Sequence, residues 1–149
     1  MFVFLDLDGV LRRNSAPPAK LEAPCLDCFC RALSSLPEAR IVISSGWRTF
    51  VTLDEIRSHF PPDIAERIVA VTPVLESGES YARHREIQAF LRDHAAHGDR
   101  WVALDDDPAN FPSGSPNVLL IDGETAFDDA AAIRLIDSLR PTPGNPELM

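Results

Sequence analysis

A chain of 149 residues is long enough to bury one full hydrophobic core, and its formal net charge of −9 argues against a broad nucleic-acid or membrane-binding surface. Its 45% apolar and 25% charged content is that of a globular protein. No apolar run approaches the ~20 residues of a membrane span, and the first residues lack the basic start of a secretory leader, so a cytoplasmic protein is expected.

Phe2-Val3-Phe4-Leu5 is a short, β-favouring apolar run of the kind buried on both faces of a parallel sheet. It runs into Asp6 and Asp8, then Gly9, which permits a sharp turn. An unpaired buried carboxylate is costly. Two acids at this strand end therefore call for a balancing charge, at the edge where open α/β sheets bind ligands. Residues 11–23 are polar and proline-containing and read as a loop. Within it, Arg12 and Arg13 are either solvated or hold a substrate phosphate. Pro24 opens a helix whose apolar stripe is Leu26, Phe29, Leu33 and Leu36, ended by Pro37. Cys25, Cys28 and Cys30 lie on this helix; an odd count without a fourth metal ligand reads as packing rather than a disulfide or zinc site.

Residues 40–45 (RIVISS) form a second strand ending in Ser44 and Ser45, which bind phosphate or cap the following turn. Trp47 reads as packing, and Arg48 anchors a second substrate group or pairs with a surface acid. Thr52-Leu53-Asp54-Glu55 is a capping box for a helix reaching about Phe60, with a further turn over 63–66. Residues 67–72 read as a third strand. Ser80 is the expected cap of a helix running to about Ala96, with the stripe Arg83, Ile87, Phe90 or Leu91, and His94. Residues 101–107 (WVALDDD) repeat the opening pattern of strand followed by acids. A fifth strand spans 117–122, and Thr125 is the expected cap of a last helix to about Leu139. The proline-rich tail, 140–149, is expected to be disordered. His59, His84, His94 and His97 show no ligand spacing and read as surface or helix-flank residues.

This alternation predicts an α/β, three-layer Rossmann-like domain over residues 1–139 with a mostly parallel five-stranded sheet. Such a sheet gathers Asp6, Asp8, Ser44, Ser45 and Asp105 to Asp107 along one edge. That many carboxylates repel one another unless a divalent cation sits among them, and all-oxygen ligands favour Mg²⁺. In this reading Asp6 is a nucleophile toward a phosphate ester, and Asp8 protonates the leaving oxygen and then activates water, its pKa raised by neighbouring negative charge. Arg83 shares a helix face with Ile87 and Phe90 and is preferred over Arg85 as the phosphate-holding cation.

The motifs D-L-D-G-V-L, hydrophobic-S-S, a basic residue opening a helix, and hydrophobic-D-D occur in this order and resemble the four motifs of the haloacid dehalogenase (HAD) superfamily. Ser44-Ser45-Gly46-Trp47-Arg48, Arg83-x-x-Glu86-Ile87 and Trp101 to Asp107 look like the branch that includes the HAD domain of Swiss Army Knife RNA repair proteins. The resemblance covers about residues 1–139. It implies Asp6 as nucleophile and Mg²⁺ ligand, and Asp8 as acid/base and backbone-carbonyl ligand. It implies Ser44 as the phosphate-binding hydroxyl, Arg83 in the place usually held by lysine, and Asp106 with Asp105 as the acidic-motif ligands. The gaps between motifs leave no room for a cap domain. The implied protein is thus a Mg²⁺-dependent phosphohydrolase with an open site, acting on a large phosphorylated substrate such as a nucleic-acid end. A catalytically idle phosphate- or partner-binding module and a phosphotransferase are the rival readings.

Overall fold

The computed structural model describes residues 1–75, 80–94, 96 and 98–140. Five strands, β1 (Phe2–Leu5), β2 (Arg40–Ile43), β3 (Ile68–Val71), β4 (Trp101–Asp105) and β5 (Val118–Leu120), form one sheet. The order is β3-β2-β1-β4-β5 and every pairing is parallel. The expected sheet is therefore present, and it is entirely parallel. The helices are α1 (Ala23–Ser34), α2 (Leu53–Arg57), α3 (Pro62–Ala65), α4 (Ala82–Asp93) and α5 (Asp129–Leu139).

Side chains alternate across a strand, so each strand serves two cores. Val3, Leu5, Ile41, Ile43, Val102 and Leu104 pack against residues of α1, α2, α3 and α5. Phe2, Phe4, Val42 and Ala103 pack against Ile87, Phe90 and Leu91 of α4. Among the described residues, one face thus carries α1, α2, α3 and α5 and the other carries α4. Phe90 meets both Phe2 and Phe4 edge-on, with ring centroids 5.6 and 5.5 Å apart.

Two helix starts differ from the sequence reading. Tyr81, not Ser80, precedes α4, and it sits in the left-handed region at φ +61° with no side-chain cap bond. Asp128, not Thr125, caps α5 by accepting from the Ala131 amide. Ala126 at φ +58° interrupts any helix begun at Thr125. In α1 the buried positions are Cys25, Phe29, Ala32 and Leu33, while Leu26 is only partly covered. The expected tail lies outside the described residues beyond Arg140, as does His97. Among the described residues no helix is long and apolar enough to cross a membrane.

Candidate active site

The chain runs outward from β1 through β2 to β3, then crosses back to lay β4 on the other side of β1. The strand order reverses between β1 and β4, and ligands of open parallel sheets bind at the carboxyl ends of such a pair. Leu5 and Leu104 are register partners there, so Asp6, just past β1, lies beside Asp105, the last residue of β4. One carboxylate oxygen from each of Asp6, Asp105 and Asp106 lies within 4.8 Å of the others.

Asp6 is buried and accepts the Leu7 amide on Oδ1 at 2.9 Å. Burial first, and the neighbouring Asp105 carboxylate second, hold its pKa well above the usual carboxylate range, with Arg83 pulling the other way. Asp105 is 2% exposed and accepts the Asp107 amide at 2.9 Å; burial pushes its pKa up to about 6. Asp106 accepts the side-chain amide of Asn14 on Oδ2 at 2.9 Å. Two glycines make room for it. A Cβ on Gly9, which sits at φ +79°, would lie 2.2 Å from Asp106 Oδ2, and one on Gly123 would lie 2.2 Å from Asn14 Nδ2 and 2.8 Å from that oxygen.

Asp8 stands apart from this group. Its Oδ1 accepts Arg12 Nη1 at 2.9 Å and the Trp47 indole N–H at 3.1 Å. The expectation that negative charge surrounds Asp8 is corrected: the chain turns at Gly9 and brings Arg12, four residues on, against it. Arg12 also donates to the carbonyls of Ala16 and Pro17, so it is a buried loop clamp. Arg13 bonds Glu22. Asp107 caps the 3₁₀ turn Pro108–Asn110 through the Ala109 amide.

At the end of β2, Ser44 is buried and its Oγ has no hydrogen-bond partner among the described residues. An orphaned buried hydroxyl costs free energy unless a ligand engages it. Ser45 Oγ instead accepts the Trp47 amide and caps the 3₁₀ turn Gly46–Thr49. Arg83 reaches the acids from α4: Nη2 would lie 3.8 Å from a Cβ on Gly46, and its charge acts on both Asp6 and Asp105. Arg85 turns the other way, donating Nε to the Ser80 carbonyl at 3.0 Å.

Behind Arg83 lies an ion pair that the sequence reading did not assign. Arg48 Nη2 and Glu86 Oε2 are 2.7 Å apart, with side chains 2% and 4% exposed. Arg48 also donates to the carbonyls of Ser45, Thr72 and Pro73, and Glu86 accepts Arg83 Nη1 and the Leu75 amide. Arg48 is therefore neither exposed nor paired with a surface acid. It ties the ends of β2 and β3 to α4. The signal available in the sequence was Glu86 on the helix face that carries Arg83 and Ile87, where an acid needs a partner. Asn14 and Gly123 had no comparable signal.

Over residues 2–132 the sequence matches the family described as the HAD domain in Swiss Army Knife RNA repair proteins. The chain belongs to that family. Comparison with curated proteins and with solved structures gave no match. Membership makes this a HAD domain of general phosphohydrolase type. Among its described residues no separate domain is inserted after β1 or after β2. The acidic triplet in this HAD domain offers oxygen donors only, a set that suits Mg²⁺ better than zinc or copper. The raised pKa values of Asp6 and Asp105 reflect burial first and neighbouring carboxylates after it, and a bound cation would offset both.

Proposed function

We propose that this HAD domain is a Mg²⁺-dependent phosphomonoesterase that forms an aspartyl-phosphate on Asp6. The observation that carries the reading is the meeting, at one switch point, of the acidic triplet, the orphaned Ser44 hydroxyl and the Arg83 guanidinium. Asp6, Asp105 and Asp106 would hold the cation, with the Asp8 backbone carbonyl as the further donor that the family resemblance implies. When bound, Mg²⁺ offsets the repulsion between these acids and a phosphate dianion.

The protein's own groups divide the remaining work. The Leu7 amide fixes Asp6 Oδ1 and so orients the carboxylate for attack on phosphorus. Ser44 Oγ donates to a phosphoryl oxygen. Arg83, held by Glu86, neutralises a second oxygen. Asp8 gives a proton to the leaving oxygen, then removes one from the water that hydrolyses the phosphoenzyme. Arg12 and Trp47 both occupy its Oδ1, which leaves Oδ2 for that exchange. Ser45 serves as a cap that sets the turn after Ser44.

The open site and the family's association with RNA repair make a nucleic-acid end one substrate that fits. With a net charge of −9, contact would be confined to the terminal phosphate and its nearest residue. The test is turnover of p-nitrophenyl phosphate with Mg²⁺, abolished by EDTA and by Asp6→Asn. In Asp8→Asn the activated leaving group still departs, so a burst of nitrophenolate and an acid-stable, hydroxylamine-sensitive phosphoenzyme are expected. Turnover surviving in Asp6→Asn would refute the assignment. Mg²⁺-dependent phosphate binding without turnover of any ester would favour the idle module.

A further inference from the structure

Among the described residues one helix, α4, packs on its face of the sheet, against β1, β2 and β4, and it leaves the β4–β5 end of that face uncovered. A cleft of about 490 Å³ opens there, walled by Tyr81, Pro108, Phe111, Pro112, Val118 and Leu120. Three of its walls connect to residues of the site. Tyr81 lies two residues before Arg83. Leu120 is the register partner of Asp105. Asn110, next to Phe111, donates to Asp105 Oδ1 at 3.5 Å. Phe111 is braced from behind by His84, edge-on at 6.3 Å between ring centroids.

The lining is mostly apolar, and two of its large side chains stay open to solvent: Tyr81 is 43% and Leu120 42% exposed. Tyr81 holds its ring there from a backbone at φ +61°, a conformation that costs a non-glycine residue free energy. Building on the phosphohydrolase reading, we infer that this cleft binds the leaving group, and that the preferred substrates are monophosphate esters of alcohols bearing a flat ring. The phosphoryl group sits at the triplet, Ser44 and Arg83. The ring lies between Tyr81 and the Val118–Leu120 wall, where its burial favours ring-bearing over small aliphatic esters by about tenfold.

The test is direct titration of the Mg²⁺-loaded protein with benzylphosphonate and with methylphosphonate, which carry the same anionic group and are not hydrolysed. Benzylphosphonate is expected to bind about tenfold more tightly. The ratio should fall toward one in Tyr81→Gly, which removes the ring and suits the positive φ, and in Leu120→Ser on the opposite wall. Ile133→Ser, exposed on α5 away from the cleft, should keep the wild-type ratio. Equal affinities in the wild type, including no measurable affinity for either ligand, would overturn the cleft assignment. So would a preference unchanged in both cleft variants. A ring preference retained by a protein that turns over no phosphate ester would overturn only the hydrolase reading.

Discussion

Replacing Asp105 by asparagine should stabilise the metal-free protein at neutral pH, although it removes a proposed metal ligand. Asp105 has a pKa near 3.8 in an open chain and about 6 in the fold, raised chiefly by burial. Below about pH 4 it is protonated in both states and adds nothing to the pH dependence. Between those values the folded chain holds the proton and the unfolded chain does not, so stability falls as pH rises. Above the folded pKa the full penalty is present. At about 1.4 kcal/mol per unit it amounts to about 3 kcal/mol. Asparagine keeps an oxygen for the Asp107 amide, so the local hydrogen bond survives. It also relieves Asp6 of its strongest like-charge repulsion, an effect of the same sign. Urea denaturation in EDTA should therefore show Asp105→Asn the more stable protein at about pH 8, with the gap closing toward about pH 4. Saturating Mg²⁺ should narrow the gap at high pH by stabilising the wild type more. A variant no more stable than wild type at high pH in EDTA would refute the reasoning.

Ser44→Ala should leave unfolding free energy unchanged or slightly raised, because its hydroxyl has no partner among the described residues, while raising KM for a phosphate ester about tenfold. Gly9→Ala should cost about 1–2 kcal/mol for its left-handed backbone and displace Asp106, so Mg²⁺ affinity by calorimetry should fall at least about tenfold. Arg48→Met removes the most buried partner of Glu86, leaves that carboxylate to Arg83 and the Leu75 amide, and strips three carbonyls of a donor, so it should destabilise the fold by about 3 kcal/mol in chemical denaturation.

The sheet and its acids were legible because both signals are local. Residues 2–8 and 101–107 each spell an apolar strand followed by carboxylates, and parallel pairing does the rest. Helix starts were less legible because several residues near each start can cap. Ser80 and Thr125 have cap chemistry, yet Tyr81 and Ala126 take left-handed backbone angles that keep the helices from starting there, and residue type alone does not announce such angles. The second layer of the site was hidden for a different reason. Asn14 and Asp106 are 92 positions apart, and Arg48 and Glu86 are 38 apart. Asp8 was read from its acidic neighbours in sequence, whereas the turn at Gly9 brings it the cation four residues on.

The Asp106 carboxylate lies close against Gly9 and Gly123 and is tethered by Asn14, so it is confined on the side of those two glycines. A pocket whose wall cannot yield discriminates by ionic radius. Mg²⁺ wants oxygens at about 2.0–2.1 Å and Ca²⁺ at about 2.3–2.6 Å with more of them. The smaller ion suits a stiff acid, and the larger one must strain the loops that carry the glycines. Calcium should consequently be a poor substitute here, a preference written into two absent side chains.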